Sequence, residues 1–442
     1  MMRYISTTST HSTDLRGAVL HSIAPDGSLY LPESMPQIPR ALFNNIDEMN
    51  LREVAYVVVS NLLGSDVDLA RLKAIVDATF SFPFPLKTLH PGLDVLELFD
   101  GPTLAFKDIG ARFLAEFFKI FHERSDVRKV ALVATTGNTG AAIANAFGGL
   151  KDIPVVILFP RGALSRSEQA MFTTIGANIH ALDVSGNISQ CKKMVREALC
   201  DPSLGGIVEP ICVNTHNILR IIPQVVFYFY AYSRLKSRYG KADGFTVAIP
   251  CGCLSSLTAA VMAKRMGLPM GRIIAGCNAN DDFPRILNGE ISLDKVNVNS
   301  RPTIAKAMDT GYPTNLERLI SLYGGSRQAA GADITATSLS DSQIADVIVD
   351  ELCRSRYMAD PHTATALGAL RMAGVDGSPE APAVVLATAH PAKSLDIMTS
   401  ITGRAIELPL QLTRFMGKGS APDKIPPTYP ALRRFLTTLT NI

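Results

Sequence analysis

The chain has 442 residues, enough for a large buried core and more than one domain. Apolar residues make up 47% and charged residues 19%, which excludes a disordered chain; the net charge of +3 is scattered, without the basic stripe a nucleic-acid interface needs. The seven cysteines are an odd number and do not make a disulfide framework. With a polar start (MMRYISTT) and no apolar run near the roughly 20 residues of a membrane span, the chain reads as cytoplasmic, with no membrane or nucleic-acid partner.

Residues 1–100 read as an N-terminal segment packing on a larger domain. Asp26 and Gly27 mark a turn between two apolar stretches, and residues 51–63 suit a helix. The prolines at 83 and 85 forbid a regular helix there. From about residue 108 the rhythm changes. Strands are predicted at 130–134 (VALVA), 155–159 (VVILF) and 179–183 (IHALD), alternating with helices at 141–147, 165–175 and 189–199. A second block pairs a strand at 246–249 (TVAI) with a helix at 257–266, then strands at 273–275 and 383–388 (AVVLAT). Strands alternating with helices imply α/β architecture with mainly parallel sheets. The expected division is a smaller α/β domain over 101–205 and a larger one over 206–442, with a functional cleft between them. Residues 417–430, rich in Gly and Pro, read as a surface tail.

Four segments could carry chemistry. In GPTLAFKDIG (101–110), Lys107 stands between Phe106 and Ile109 at a helix start. An amine held against apolar surface loses solvation for its charge and becomes nucleophilic, although most lysines in such places are simply solvated. ATTGNTGAA (134–142) and IPCGCLSSL (249–257) both run from strand into helix, where free N–H groups suit an anion. Each is equally readable as a capped turn without a ligand. Cys251 and Cys253 lack the second Cys or His pair of a structural zinc site, so no metal is expected. In LATAHPAK (386–393), Thr388 ends a strand, and His390 is either catalytic or satisfied locally.

Together these segments resemble the threonine synthase family over nearly the whole chain. ELFDGPTLAFKD (97–108) resembles the family's Schiff-base lysine motif; IAPDGSLYLP (23–32), AMD (307–309), DPH (360–362) and TAHPAK (388–393) resemble its other signatures. The resemblance implies fold type II of the pyridoxal 5'-phosphate enzymes (tryptophan synthase β-like). It implies conversion of O-phosphohomoserine and water to L-threonine and phosphate, by γ-elimination and β-addition, in a monomer or homodimer. By it, Lys107 carries the cofactor as an imine and is the catalytic residue. Asn138 lies beside the cofactor ring and Thr388 meets the ring nitrogen. Gly252, Cys253, Leu254, Ser255 and Ser256 hold the cofactor phosphate. Thr135, Thr136, Gly137, Thr139 and Gly140 hold the substrate carboxylate. Arg112, Arg161 and Arg166 are candidates for the substrate phosphate.

This chain departs from the family in places. The phosphate loop is usually Ser-Gly-Asn-Phe-Gly; here it is Cys251-Gly252-Cys253-Leu254-Ser255. Serine in place of a glycine implies backbone strain at Ser255 if φ must be positive. Ala163 stands where lysine is common, Glu168 where glutamine is common, and Ser394 replaces a usual phenylalanine. Cys212 and His216 interrupt a usually Ser/Asn/Ile stretch. Two alternatives follow: a pyridoxal-phosphate lyase acting on another amino acid, or a non-catalytic cofactor-binding paralogue.

Overall fold

The computed structural model describes residues 2–121, 127–297, 299–415, 417–418 and 421–439. The N-terminal segment forms a small antiparallel sheet, with β1 (Tyr4–Ser6) between β2 (Ser12–Thr13) and β3 (Tyr30–Pro32). The turn falls at Asp26 and Gly27 as expected: Gly27 has φ +83° and the Asp26 carboxylate accepts the Ser28 N–H. The helix Leu51–Leu63 starts on a capping box, in which Asn50 and Glu53 satisfy each other's backbone N–H groups. Its buried stripe, Leu51, Val54, Ala55, Val58, Val59 and Leu62, recurs at helical spacing.

The chain then enters a six-stranded sheet through β4 (Leu86–His90) and β5 (Leu93–Glu97). A five-stranded sheet follows, with β6 (Arg128–Ala134), β7 (Val155–Pro160), β8 (Ile179–Val184) and β9 (Val208–Cys212). The larger sheet is completed by β10 (Phe245–Pro250), β11 (Met270–Cys277), β12 (Ile334–Ser338) and β13 (Ala383–Ala387). Its order is β12-β11-β10-β13-β5-β4, parallel except at the β4 edge. Central strands such as β7, β10 and β13 are buried along their whole length, which is why they read as unbroken apolar runs rather than alternating ones.

Sheet membership does not follow the expected boundaries at 100 and 205. β4 and β5 precede residue 100 yet lie in the larger sheet, and β9 follows residue 205 yet lies in the smaller. The Gly/Pro tail is also more than a surface segment. Within it β14 (Asp423–Ile425) pairs parallel with β8, giving the smaller sheet the order β14-β8-β7-β6-β9. The helix Tyr429–Thr438 then packs Leu432 and Leu436 into the core that contains Met194 and Val195. Short-range patterning could not show this, because two exposed residues and the half-buried Ile425 gain their strand order by pairing with β8.

Arg318 ties three parts of the chain together. Fully buried, it donates to Tyr30 O (2.8 Å), Thr215 O (2.6 Å), Asn315 Oδ1 (2.8 Å) and His216 O. Truncation strands those carbonyls in a dry interior. Arg318→Ala is expected to lower stability by about 3 kcal/mol, read from the urea midpoint; an unchanged midpoint would refute this role.

Candidate active site

Lys107 opens the helix Lys107–Phe121, and the loop before it is stitched from both sides. Asp108, buried, accepts the Thr103 N–H (2.8 Å) and hydroxyl (2.7 Å). Gly101 must be glycine, because a Cβ there would meet Asp108 Oδ2 at 2.5 Å. The segment after β13 supplies the other side. Phe106 N–H donates to Thr388 O (3.0 Å), His390 N–H to Leu104 O (3.1 Å), and Leu98 N–H to Ala387 O (2.9 Å). Thr388, buried at the end of its strand, is thereby held against the lysine loop.

Lys107 lines a narrow cavity. The walls include Asn138, Cys251 to Leu257, Met308, His362 and Thr388. The lysine is shifted below its usual pKa, chiefly by burial; Cys253 opposes that shift and the Arg220 cation adds to it. Its Nζ lies 4.9 Å from the centre of the Phe106 ring. A wider cavity adjoins through Asn138, Ala307 and His362 and is also lined by Thr136, Lys306 and Lys393.

The cysteine-serine loop precedes the helix Ser255–Arg265, whose N-cap, Leu254, makes no side-chain cap bond. The Ser256 hydroxyl is buried in the cavity wall and has no hydrogen-bond partner within the protein. The strain anticipated at Ser255 is absent: Ser255 is helical, and the left-handed residue is Leu254, at φ +61°. Gly252 is not left-handed either. It is required because a Cβ would come within 2.8 Å of Met308 Cα.

Of the five residues assigned to the substrate carboxylate, only Thr136 lines a cavity wall. Thr135 is turned inward, and its hydroxyl accepts the N–H groups of Gly137 and Gly140, both at 3.0 Å. Gly137, Thr139 and Gly140 line neither cavity, and two of the N–H donors are already used. Two of the arginine candidates also lie elsewhere. Arg112 binds Ala78 O and Ser81, and Arg161 pairs with Asp183. The Arg166 side chain is outside the described residues. His390 lines neither cavity; its Nδ1 accepts the Ala392 N–H (3.1 Å) and its ring packs edge-on to Phe99.

Other polar residues, not assigned a role from the sequence, gather near the two cavities. Lys393 donates to Thr103 O (2.9 Å), and burial pulls it down to about 8. Lys192, from the helix Ile188–Leu199, reaches Thr310 Oγ1 (3.3 Å), and burial lowers it too. His362 accepts the Ala307 N–H at Nε2 (3.1 Å) and turns Nδ1 to Asp360, which fixes its tautomer. Burial alone would raise Asp360; its pairing with His362 and the bonds from Thr363 overcome that and leave its carboxyl below the usual value. Among the described residues, no His, Cys, Asp or Glu cluster could hold a metal ion, and no helix is long and apolar enough to cross a membrane.

A family model described as pyridoxal-phosphate dependent enzyme matches residues 95–389, and one described as threonine synthase N terminus matches 3–80. Threonine synthase of Haemophilus influenzae is 34% identical over 425 residues, covering 95% of each chain. The chain belongs to the threonine synthase family. The crystal structure of threonine synthase from Escherichia coli superposes with a TM-score of 0.91 at 29% identity, covering 99% of this chain and 100% of that one. The threonine synthase of Brucella melitensis with bound pyridoxal phosphate gives 0.88 at 29% identity and full coverage of both chains. The fold is thus fold type II, and this threonine synthase relative is a pyridoxal-phosphate-dependent lyase acting on a small molecule.

The residues present fit that cofactor. An uncapped helix N-terminus and the unpartnered Ser256 hydroxyl together offer donors to a phosphate, and a weakly basic lysine shares the same cavity. Because Ser255 carries no left-handed strain, Ser255→Gly is expected to bring no relief. It should cost up to about 1 kcal/mol of stability from added chain entropy, and a gain in urea midpoint would place the strain back at Ser255.

Proposed function

We propose that this chain makes L-threonine and phosphate from O-phosphohomoserine and water in the two joined cavities. One observation carries the reading: the Lys107 amine, stripped of solvation, shares a cavity with an unpartnered hydroxyl at an uncapped helix N-terminus. Bound pyridoxal phosphate supplies an electron sink that makes substrate carbon acidic.

The chain's own groups do the rest. Ser256 Oγ and the first N–H groups of its helix hold the phosphate, and Leu254, left-handed, turns the loop toward it. Thr388 and Asn138 line the same cavity, where Thr388 would offer a hydroxyl to the ring nitrogen and Asn138 would stand beside the ring. A hydroxyl partner, unlike a carboxylate, does not hold that nitrogen protonated. Lys107 keeps a neutral fraction that its lowered basicity allows, so it can accept the substrate Cα proton and return it. The Thr136 and Asn138 side chains orient the substrate carboxylate at the mouth between the cavities. Lys306 and Lys393 supply positive charge in the wider cavity for the departing phosphate.

With O-phosphohomoserine as substrate, threonine and phosphate are expected in equal amounts. Lys107→Ala should remove turnover and also the borohydride-trapped cofactor mass on the chain; residual threonine formation would make another residue the base. Ser256→Ala should weaken cofactor affinity about tenfold, the worth of roughly one charge-assisted hydrogen bond, in an equilibrium titration.

A second reading has one specific support. Ala163, Glu168 and Ser394, three of the departures from the family's usual residues, all face the wider cavity. A coloured protein that ignores O-phosphohomoserine but consumes another amino acid would favour a lyase of altered substrate.

A further inference from the structure

Four of the seven cysteines are buried ordinary thiols. Burial pushes Cys191 and Cys277 up to about 12, Cys212 up to about 11, and Cys251 well above its usual value. Cys200 and Cys353 are on the surface. Cys253 is different in place and company. It lines the deep cavity beside Lys107, inside the loop that precedes the helix Ser255–Arg265. Its Sγ lies 3.4 Å from Ser255 Oγ, and Thr215 offers a second hydroxyl.

Every charged group that acts on this thiol is a cation. Lys107 faces it from the helix Lys107–Phe121, Lys192 from the helix Ile188–Leu199, and Arg220 from the turn Ile218–Arg220. Arg220 is buried and its Nε has no partner in the protein. Three residues on from Cys253, Ser256 keeps its own buried hydroxyl unpartnered. Three cations and an unspent donor around one small space describe a site built for an anion. A thiolate is the anion the loop itself can provide.

We propose that Cys253 is a modification site: a nucleophilic thiol that small uncharged electrophiles, hydroperoxides among them, attack only while the loop holds no phosphate, and whose modification then keeps the cofactor out. This rests on the reading that the deep cavity takes the cofactor. Burial works against ionisation of Cys253, but the Lys107 charge and the bonds from Ser255 and Thr215 overcome it and bring the thiol down to about 7. Near neutral pH a large fraction is therefore thiolate, and the fraction rises with pH. With hydrogen peroxide, sulfur donates an electron pair, the S–O bond forms and the O–O bond breaks. The leaving hydroxide takes a proton to become water, and sulfur, oxidised by two electrons, becomes a sulfenic acid. The added oxygen stands where a phosphate oxygen would go.

The test uses the full chain, cofactor-loaded and cofactor-stripped, treated with iodoacetamide and with hydrogen peroxide plus a sulfenic-acid trap. Peptide mass spectrometry reads each cysteine. In stripped protein Cys253 should label with a midpoint near pH 7, ahead of Cys191, Cys212, Cys251 and Cys277. Cofactor at ten times its Kd should slow that labelling about elevenfold, while Cys200 and Cys353 label unchanged. Lys192→Met should move the midpoint upward. Pre-labelled protein should fail to take up cofactor, whereas protein given the same treatment with cofactor bound, then stripped, should still take it up. Equal labelling with and without cofactor, or silence at Cys253 up to pH 9, overturns the proposal. Borohydride trapping of the cofactor on the Lys107 peptide is read separately. If it succeeds while Cys253 stays silent, the thiol proposal fails alone; if it maps elsewhere, the cavity assignment fails.

Discussion

The structure depends on keeping one amine out of water. Lys107 is the first residue of its helix, a position that ordinarily points to solvent. It is enclosed because the backbone of 98–106 hydrogen-bonds to the backbone that follows β13, and because Asp108 gathers Thr103 back onto the helix start. Burial pushes Asp108 upward as a carboxyl and Lys107 downward as an amine. Both shifts have the same cause, loss of hydration, and they fall on adjacent residues.

The polar groups around this amine divide into the satisfied and the unsatisfied. At the helix Asn138–Phe147, Thr135 uses its hydroxyl on two backbone donors, so that end is largely closed to a ligand. At the helix Ser255–Arg265 no side chain caps the end and Ser256 is left without a partner. A buried donor without a partner costs roughly 1–3 kcal/mol, so its survival points to a ligand that completes it. Two outwardly similar strand-to-helix turns therefore have different chemical meanings.

The departures from the family's usual residues sort the same way. Cys251 to Ser256 line the deep cavity and Ala163, Glu168 and Ser394 line the wide one. Cys212 and His216 lie apart from both, with Cys212 Sγ 3.5 Å from His216 Nδ1, and burial beside Arg318 pushes His216 down to about 3. Two of the three groups thus alter walls that meet small molecules, while the frame that buries Lys107 is intact.

Sequence alone determined the α/β class, the parallel strands and the lysine motif. Continuous apolar runs such as VVILF bury both faces and can only be central strands, and helix starts at Ser165 and Asn187 carry their own capping boxes. It also placed Lys107, Asn138, Thr388 and the 252–256 loop, which do share one cavity. Tertiary structure decided the rest. The left-handed residue is Leu254 and not Ser255, because the loop must turn under Met308. The cations near the site include Lys192, Arg220, Lys306 and Lys393, not Arg112 or Arg161, because elements distant in sequence bring them there. An edge strand at 423–425 exists only because β8 offers it unpaired backbone. Local pattern fixes what a segment can bury; which charges end up facing one another is settled only when separate elements pack.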